Sequence, residues 1–215
     1  DILIDISSFE SKLLAKHFND IIILTSKLTT KTDYSIQNSQ KIRELSFEFV
    51  ISIVESIPSL FVKDINNLKL YLDLLYKYAL ESETSNKEWS TPSAIAFSDL
   101  PTISEDNVRF TESIIDRLNS DLNNEVFIPI LSEVVTALVS KDSTHCKYVG
   151  LISLSQVICY ADNMKSVESI IPFVFNMLKH SDMKVRFAAA NCIDELATTF
   201  QDEFTSKYVS QILPI

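Results

Sequence analysis

Glycine is nearly missing from this chain. Its 215 residues include one, Gly150, beside six prolines. Sheet proteins with many tight turns need glycine where φ is positive, and phosphate-cradling loops need it so that backbone can approach the ligand. Both classes are excluded. Basic charge is short as well: 19 Lys and Arg stand against 29 Asp and Glu, a net charge of −10. Nucleic-acid binding draws its counterion-release affinity from Lys and Arg, so no direct nucleic-acid partner is expected and a basic protein partner suits better. The three cysteines, Cys146, Cys159 and Cys192, are odd in number, unpaired in spacing and set in apolar helical patterns. They read as reduced core thiols of a cytosolic or nuclear protein. Long apolar runs are absent too. "DIIILTSKL" and "EFVISIVESI" are interrupted well before 18 residues, so no membrane span is expected. The opening "DILIDISSFE" has neither a basic n-region nor a cleavage site. With no initial Met, and with "QILPI" falling part-way into a helical pattern, the chain is expected to be a fragment of something longer.

Catalytic constellations are equally scarce. His17, His145 and His180 are far apart, and His145-Cys146 has no second CxxC or HxxxH to complete a metal site. No orienting partner or oxyanion site marks a Cys-His nucleophile, and GxxxxGK[ST], GxSxG and HExxH do not occur. The expectation is a binding protein with no catalytic residue, no metal and no cofactor.

What the chain does have is paired helices. In "HSDMKVRFAAANCIDELATTF", Val185, Ala189, Cys192, Ile193, Leu196, Ala197 and Phe200 recur as one stripe of an α-helix, with Ser181 or Asp182 as its N-cap. Small residues in its first half permit close approach of another helix, and "SIIPFVFNMLK" just upstream supplies large apolar groups. The layout repeats. Lys147 and Arg186 are 39 residues apart, as are Val157 and Leu196, while Pro129, Pro172 and Pro214 are spaced by 43 and 42. "IRELSFEFVISIVESI" matches again through Ile42-Arg43, Ser46, Val50, Ile53 and Val54. An αα-hairpin cannot bury both faces alone, so a period near 40 predicts an all-α fold, an α-α superhelix of stacked hairpins.

These residues resemble a HEAT repeat: Pro in helix A, Asp at the turn, then Val-Arg and small residues opening helix B. The resemblance implies a polar ladder between neighbouring repeats, carried here by Asp182 and Arg186 and less clearly by Asp142 and Lys147. The whole chain, 1–215, then divides into repeats at 7–58, 64–122, 124–161 and 165–199 with a half-repeat at 202–215. The second repeat is interrupted at 81–106 by "ESETSNKEWSTPSAIAFSDLPTISED", which holds two prolines, six acids and the sole tryptophan. Loops longer than about 12–15 residues are commonly functional or unstructured.

A long A helix, an acidic insertion containing Glu-Trp and then the 165–200 repeat are similar to the middle of an importin-β-type karyopherin, most of all to the large importins that carry ribosomal proteins and histones. That resemblance implies a nuclear transport receptor that shuttles between cytoplasm and nucleus and lines its inner surface with B helices. It implies basic cargo proteins, the Ran GTPase (through the full-length protein) and nucleoporins as partners. The insertion carried over to this chain offers Glu81, Glu83, Glu88, Trp89, Asp99, Glu105 and Asp106 for cargo or Ran. Its acids are scattered rather than a run of Asp, a departure from the family's strongest pattern. On the helix faces turned away from the apolar stripes stand Glu112, Asp116 and Asp121, and Asn191, Asp194, Glu195 and Thr198. An acidic wall would steer and pair with extended lysine-rich signals, and Asn can bind their backbone. The alternative is a HEAT scaffold for constitutive assembly: a phosphatase scaffold, a vesicle coat or a chromosome-associated solenoid. The irregular insertion and the 52-residue first pair fit a phosphatase scaffold poorly.

Overall fold

A computed structural model of the protein describes residues 4, 11–30, 39–81 and 106–212. All described elements are helical. They are α1 (Ser11–Ala15), α2 (Phe18–Thr30), α3 (Ser39–Ser56), α4 (Ser59–Lys63), α5 (Ile65–Ala79), α6 (Asp106–Asp121), α7 (Asn124–Val139), α8 (Thr144–Tyr160), α9 (Met164–Val167), a 3₁₀ turn (Glu168–Ile170), α10 (Ile171–Met177) and α11 (Met183–Ile212). Successive helix pairs give the all-α, α-α superhelix fold class that the period near 40 predicts. The chain divides into two compact units, one drawn from 1–79 and 110–134 and the other from 80–109 and 135–215.

Three departures from the expected pattern have local causes. The first helix is split at Lys16-His17, where the His17 N–H closes a turn onto the Leu14 carbonyl at 2.9 Å. An extra turn, α4, follows Pro58, and Asp64 then opens α5 by accepting from the N–H groups of Asn66 at 3.2 Å and Asn67 at 3.4 Å. The stretch ahead of α11, at the start of the expected 165–199 repeat, arrives in three pieces, α9, the 3₁₀ turn and α10, with Pro172 at the start of the last. Proline has no N–H for the carbonyl four residues back and its ring crowds that carbonyl, so the helix restarts there.

The first unit is packed with aromatics. Phe47 lies 5.8 Å from Tyr71, 5.7 Å from Tyr78 and 6.0 Å from Phe110, and Phe61 lies 5.4 Å from Phe18 and 5.5 Å from Tyr71, centroid to centroid. Phe47, Phe61 and Tyr71 are completely buried. The Tyr71 hydroxyl donates to the Phe47 carbonyl at 2.9 Å, which satisfies a polar group that burial would otherwise leave stranded.

The second unit is packed with small residues. Val185, Ala188, Ala189, Cys192 and Leu196 are buried on α11, and the Cys192 thiol donates to the Leu151 carbonyl of α8 at 3.1 Å. Burial pushes that thiol's pKa well up, so it stays protonated. The buried stripe includes Ala188, while Ala197 is exposed and Ile193 and Phe200 are half-buried. Gly150 explains itself here: a Cβ at that position would overlap the Val139 side chain. The lone glycine lets α8 lie against the end of α7. At Gln201 the backbone leaves the helical region, with φ 40° and ψ −115°, so that Met183–Ile212 is two helices that meet at this residue.

Candidate partner-binding face

The turn positions come first. Asp182 caps α11, its carboxylate accepting from the Lys184 N–H at 2.8 Å. Arg186 does not pair with it. Its guanidinium donates instead to the carbonyls of His180 and Ser181, both at 2.8 Å, tying the turn to the helix that follows. In the preceding pair Lys147 reaches Asp142 at 3.4 Å across the equivalent turn. Both cations therefore act within their own repeat, one on backbone and one on a carboxylate. Asp142 is fully exposed, so solvent screens the second contact and it adds little to stability.

The densest charge constellation lies on α3 and α6. Gln40, Glu44, Glu48 and Glu55 follow one another at steps of 4, 4 and 7, which places them on one face of α3. Glu44 accepts from Gln40 at 3.1 Å and from the Tyr78 hydroxyl at 2.8 Å, while the Arg43 guanidinium stacks over the Tyr78 ring at 4.7 Å. Burial first, and the Glu44 carboxylate second, raise the Tyr78 pKa, so the phenol remains a neutral donor. Arg117 of α6 bridges the other two acids, with Nε 2.6 Å from Glu55 and a terminal nitrogen 2.7 Å from Glu48. The hydrogen bond to Glu55, opposed by burial and aided by Glu48, raises the Arg117 pKa above its ordinary value. Asp121, one turn further along α6, has its carboxyl raised by burial and then by Glu55, against the pull of Arg117. One guanidinium thus stands against three nearby carboxylates, and this face keeps a negative balance.

Of the residues the sequence singles out, Glu112 is half-buried and Asp116 exposed on α6, the helix that carries Arg117 and Asp121. Asp106 is the first residue of α6. Glu81 is exposed in the turn after α5. Asn191 and Glu195 are half-buried and Asp194 exposed on α11. Glu83, Glu88, Trp89, Asp99 and Glu105 lie outside the described residues. Sequence reasoning missed Glu44, Glu48 and Glu55, although their spacing in "KIRELSFEFVISIVES" is itself the signal of one helix face. Among the described residues no group of three or more His, Cys, Asp or Glu could hold a metal ion, and no helix is long and apolar enough to cross a membrane.

Comparison with known proteins supports the same architecture. Residues 170–200, which span α10 and the first part of α11, match the HEAT repeat model. Solved structures of Kap121p superpose over 99% of this chain. Kap121p bound to RanGTP does so at 15% identity with a TM-score of 0.80. The karyopherin Kap121p bound to the extreme C-terminus of the protein phosphatase Cdc14p does so at 16% and 0.80. The complex with the SUMO protease Ulp1p does so at 16% and 0.79. This chain spans 20% of the length of each of those chains. Identity at that level carries the fold and no more: the chain is folded as a stretch of α-α, HEAT-type helix pairs like those of the karyopherin Kap121p.

Proposed function

We propose that this chain is a segment of an importin-β-type nuclear transport receptor. In this reading it recognises basic cargo through its B helices α3, α6, α8 and α11, without catalysis. The whole receptor shuttles between cytoplasm and nucleus, with Ran-GTP acting on the full-length protein and nucleoporins among its contacts. One observation carries the reading: nearly the entire chain superposes on a segment of Kap121p, whose solved complexes include RanGTP and two other proteins. Charge adds support. The net −10, Asp116 on α6 and Asp194 with Glu195 on α11 suit extended cationic ligands, which a negative surface attracts from a distance. In this reading the acids of the 81–106 insertion, Glu81, Glu83, Glu88, Asp99, Glu105 and Asp106, also take part in recognition, with Trp89 next to Glu88 in sequence.

The test is a titration with a fluorescent lysine-rich import-signal peptide, read by anisotropy and by Trp89 emission at low and physiological salt. Saturable binding that survives physiological salt is expected. Asp116→Lys or Asp194→Lys should weaken it about tenfold, the scale of losing one partly desolvated charge contact. Binding seen only at low salt, or untouched by both reversals, overturns the cargo reading. A second reading, a scaffold for constitutive assembly, is favoured by one feature: Glu44, Glu48 and Glu55 already have partners inside the molecule. It predicts a partner held equally well with Asp116 and Asp194 reversed.

A further inference from the structure

Glu48 and Glu55 stand two turns apart on one face of α3, where a cation approaching the first unit would be expected to pair with them. Their side chains are 31% and 35% exposed, so a ligand has access to both. Both are already engaged. Arg117, 32% exposed, enters from α6 and divides its guanidinium between them, with Nε 2.6 Å from Glu55 and a terminal nitrogen 2.7 Å from Glu48.

An incoming lysine would have to displace that guanidinium, and two effects weigh against it. Arg117 is tethered, which holds it at an effective concentration of about millimolar or more, far above that of a micromolar peptide. Its planar fork also meets two carboxylates at once, whereas an ammonium is a single point charge. The bridge therefore persists in the presence of a basic ligand.

We propose that Arg117 is a built-in competitor, which withholds Glu48 and Glu55 from basic ligands and leaves recognition to acids elsewhere on the chain, such as Asp194. The inference rests on the cargo reading and deepens it, by naming a residue that limits where a cationic ligand can bind. Within that reading it also accounts for two acids of α3 whose partner is internal.

The test is an anisotropy titration of the fluorescent lysine-rich peptide at physiological salt. Arg117→Gln should bind about five- to tenfold more tightly than wild type, because two carboxylates become available. Any lost cation also raises the general attraction for a basic peptide, so a charge-matched control is needed. Arg109→Gln supplies it: Arg109 is exposed on the same helix, and its loss should gain less than about twofold, since salt screens it. Arg117→Lys keeps the net charge and a cation against α3, which preserves the fold should the glutamine variant fail. A point charge holds only one of the two carboxylates, so it should gain about two- to threefold. Adding Glu48→Gln and Glu55→Gln to Arg117→Gln should bring affinity back to within about twofold of wild type. Where wild type binds, equal gains at 117 and 109, or no gain in either Arg117 variant, overturn the competitor and leave the cargo reading standing. Binding by Arg117→Gln but not by wild type supports the competitor and overturns the cargo reading for this chain. Absence of binding in every variant overturns both.

Discussion

The two units solve the same packing problem in opposite ways. In the first, large rings fill the space between helices, and Phe47 alone meets three other rings. In the second, Gly150, Ala188, Ala189 and Cys192 remove side-chain volume so that helices approach until a thiol contacts a backbone carbonyl. One repeat pattern therefore tolerates either strategy. What each unit will not tolerate differs: the first should fail when volume is removed, the second when it is added.

The largest expected effect tests the first half of that contrast. Phe47→Ala should destabilise by about 3–5 kcal/mol, as truncation of a buried ring in a crowded cluster does. A loss below about 1 kcal/mol in urea denaturation would show that the cluster collapses onto the gap. Next, Ala189→Leu and Gly150→Ala should each cost about 1–3 kcal/mol by overpacking, whereas Ala197→Leu on the exposed side of the same helix should cost almost nothing. Equal costs at 189 and 197 would erase the distinction between the units. Tyr71→Phe should cost about 1 kcal/mol, since only one buried hydrogen bond is removed and the ring contacts stay.

The smallest effect concerns Glu168. Its pKa is lowered from the ordinary 4.5, first by the hydrogen bond from Lys207, then by that from Tyr208, with Lys165 adding a weaker pull. A depressed carboxylate contributes stability that is present above its unfolded value and lost as pH falls through its folded value. Exchange in 202–212 should therefore be constant near neutrality, after correction for intrinsic rates, and rise as pH drops below about 4.5. Glu168→Ala should abolish that dependence.

Much of the fold was legible. The all-α pattern of paired helices is there, and Ile65–Ala79 and Asp106–Asp121 are two of them; in the second, Val108, Ile114, Ile115 and Leu118 lie on one side and are buried. α4 was not legible, since "SLFVK" is too short to show a period. Arg186 was read with Asp182 as part of a polar ladder between neighbouring repeats, whereas its hydrogen bonds go to the His180 and Ser181 carbonyls of its own turn. Of the candidate site, Asp116 and Asp194 were legible as exposed acids, while the partners of Glu48 and Glu55 were not. Arg117 is 69 and 62 residues away from them, and no local spacing announces such a pair.

By itself the sequence determined that this protein is built of helix pairs at a spacing near 40. Apolar residues at helical intervals must be buried, and an isolated hairpin cannot bury them all. Only the tertiary structure decided which acids are already engaged and what the helix beyond Gln201 packs against. Both depend on groups brought together from distant parts of the chain: Arg117 between two glutamates of α3, and Glu168 with Phe175 against Tyr208.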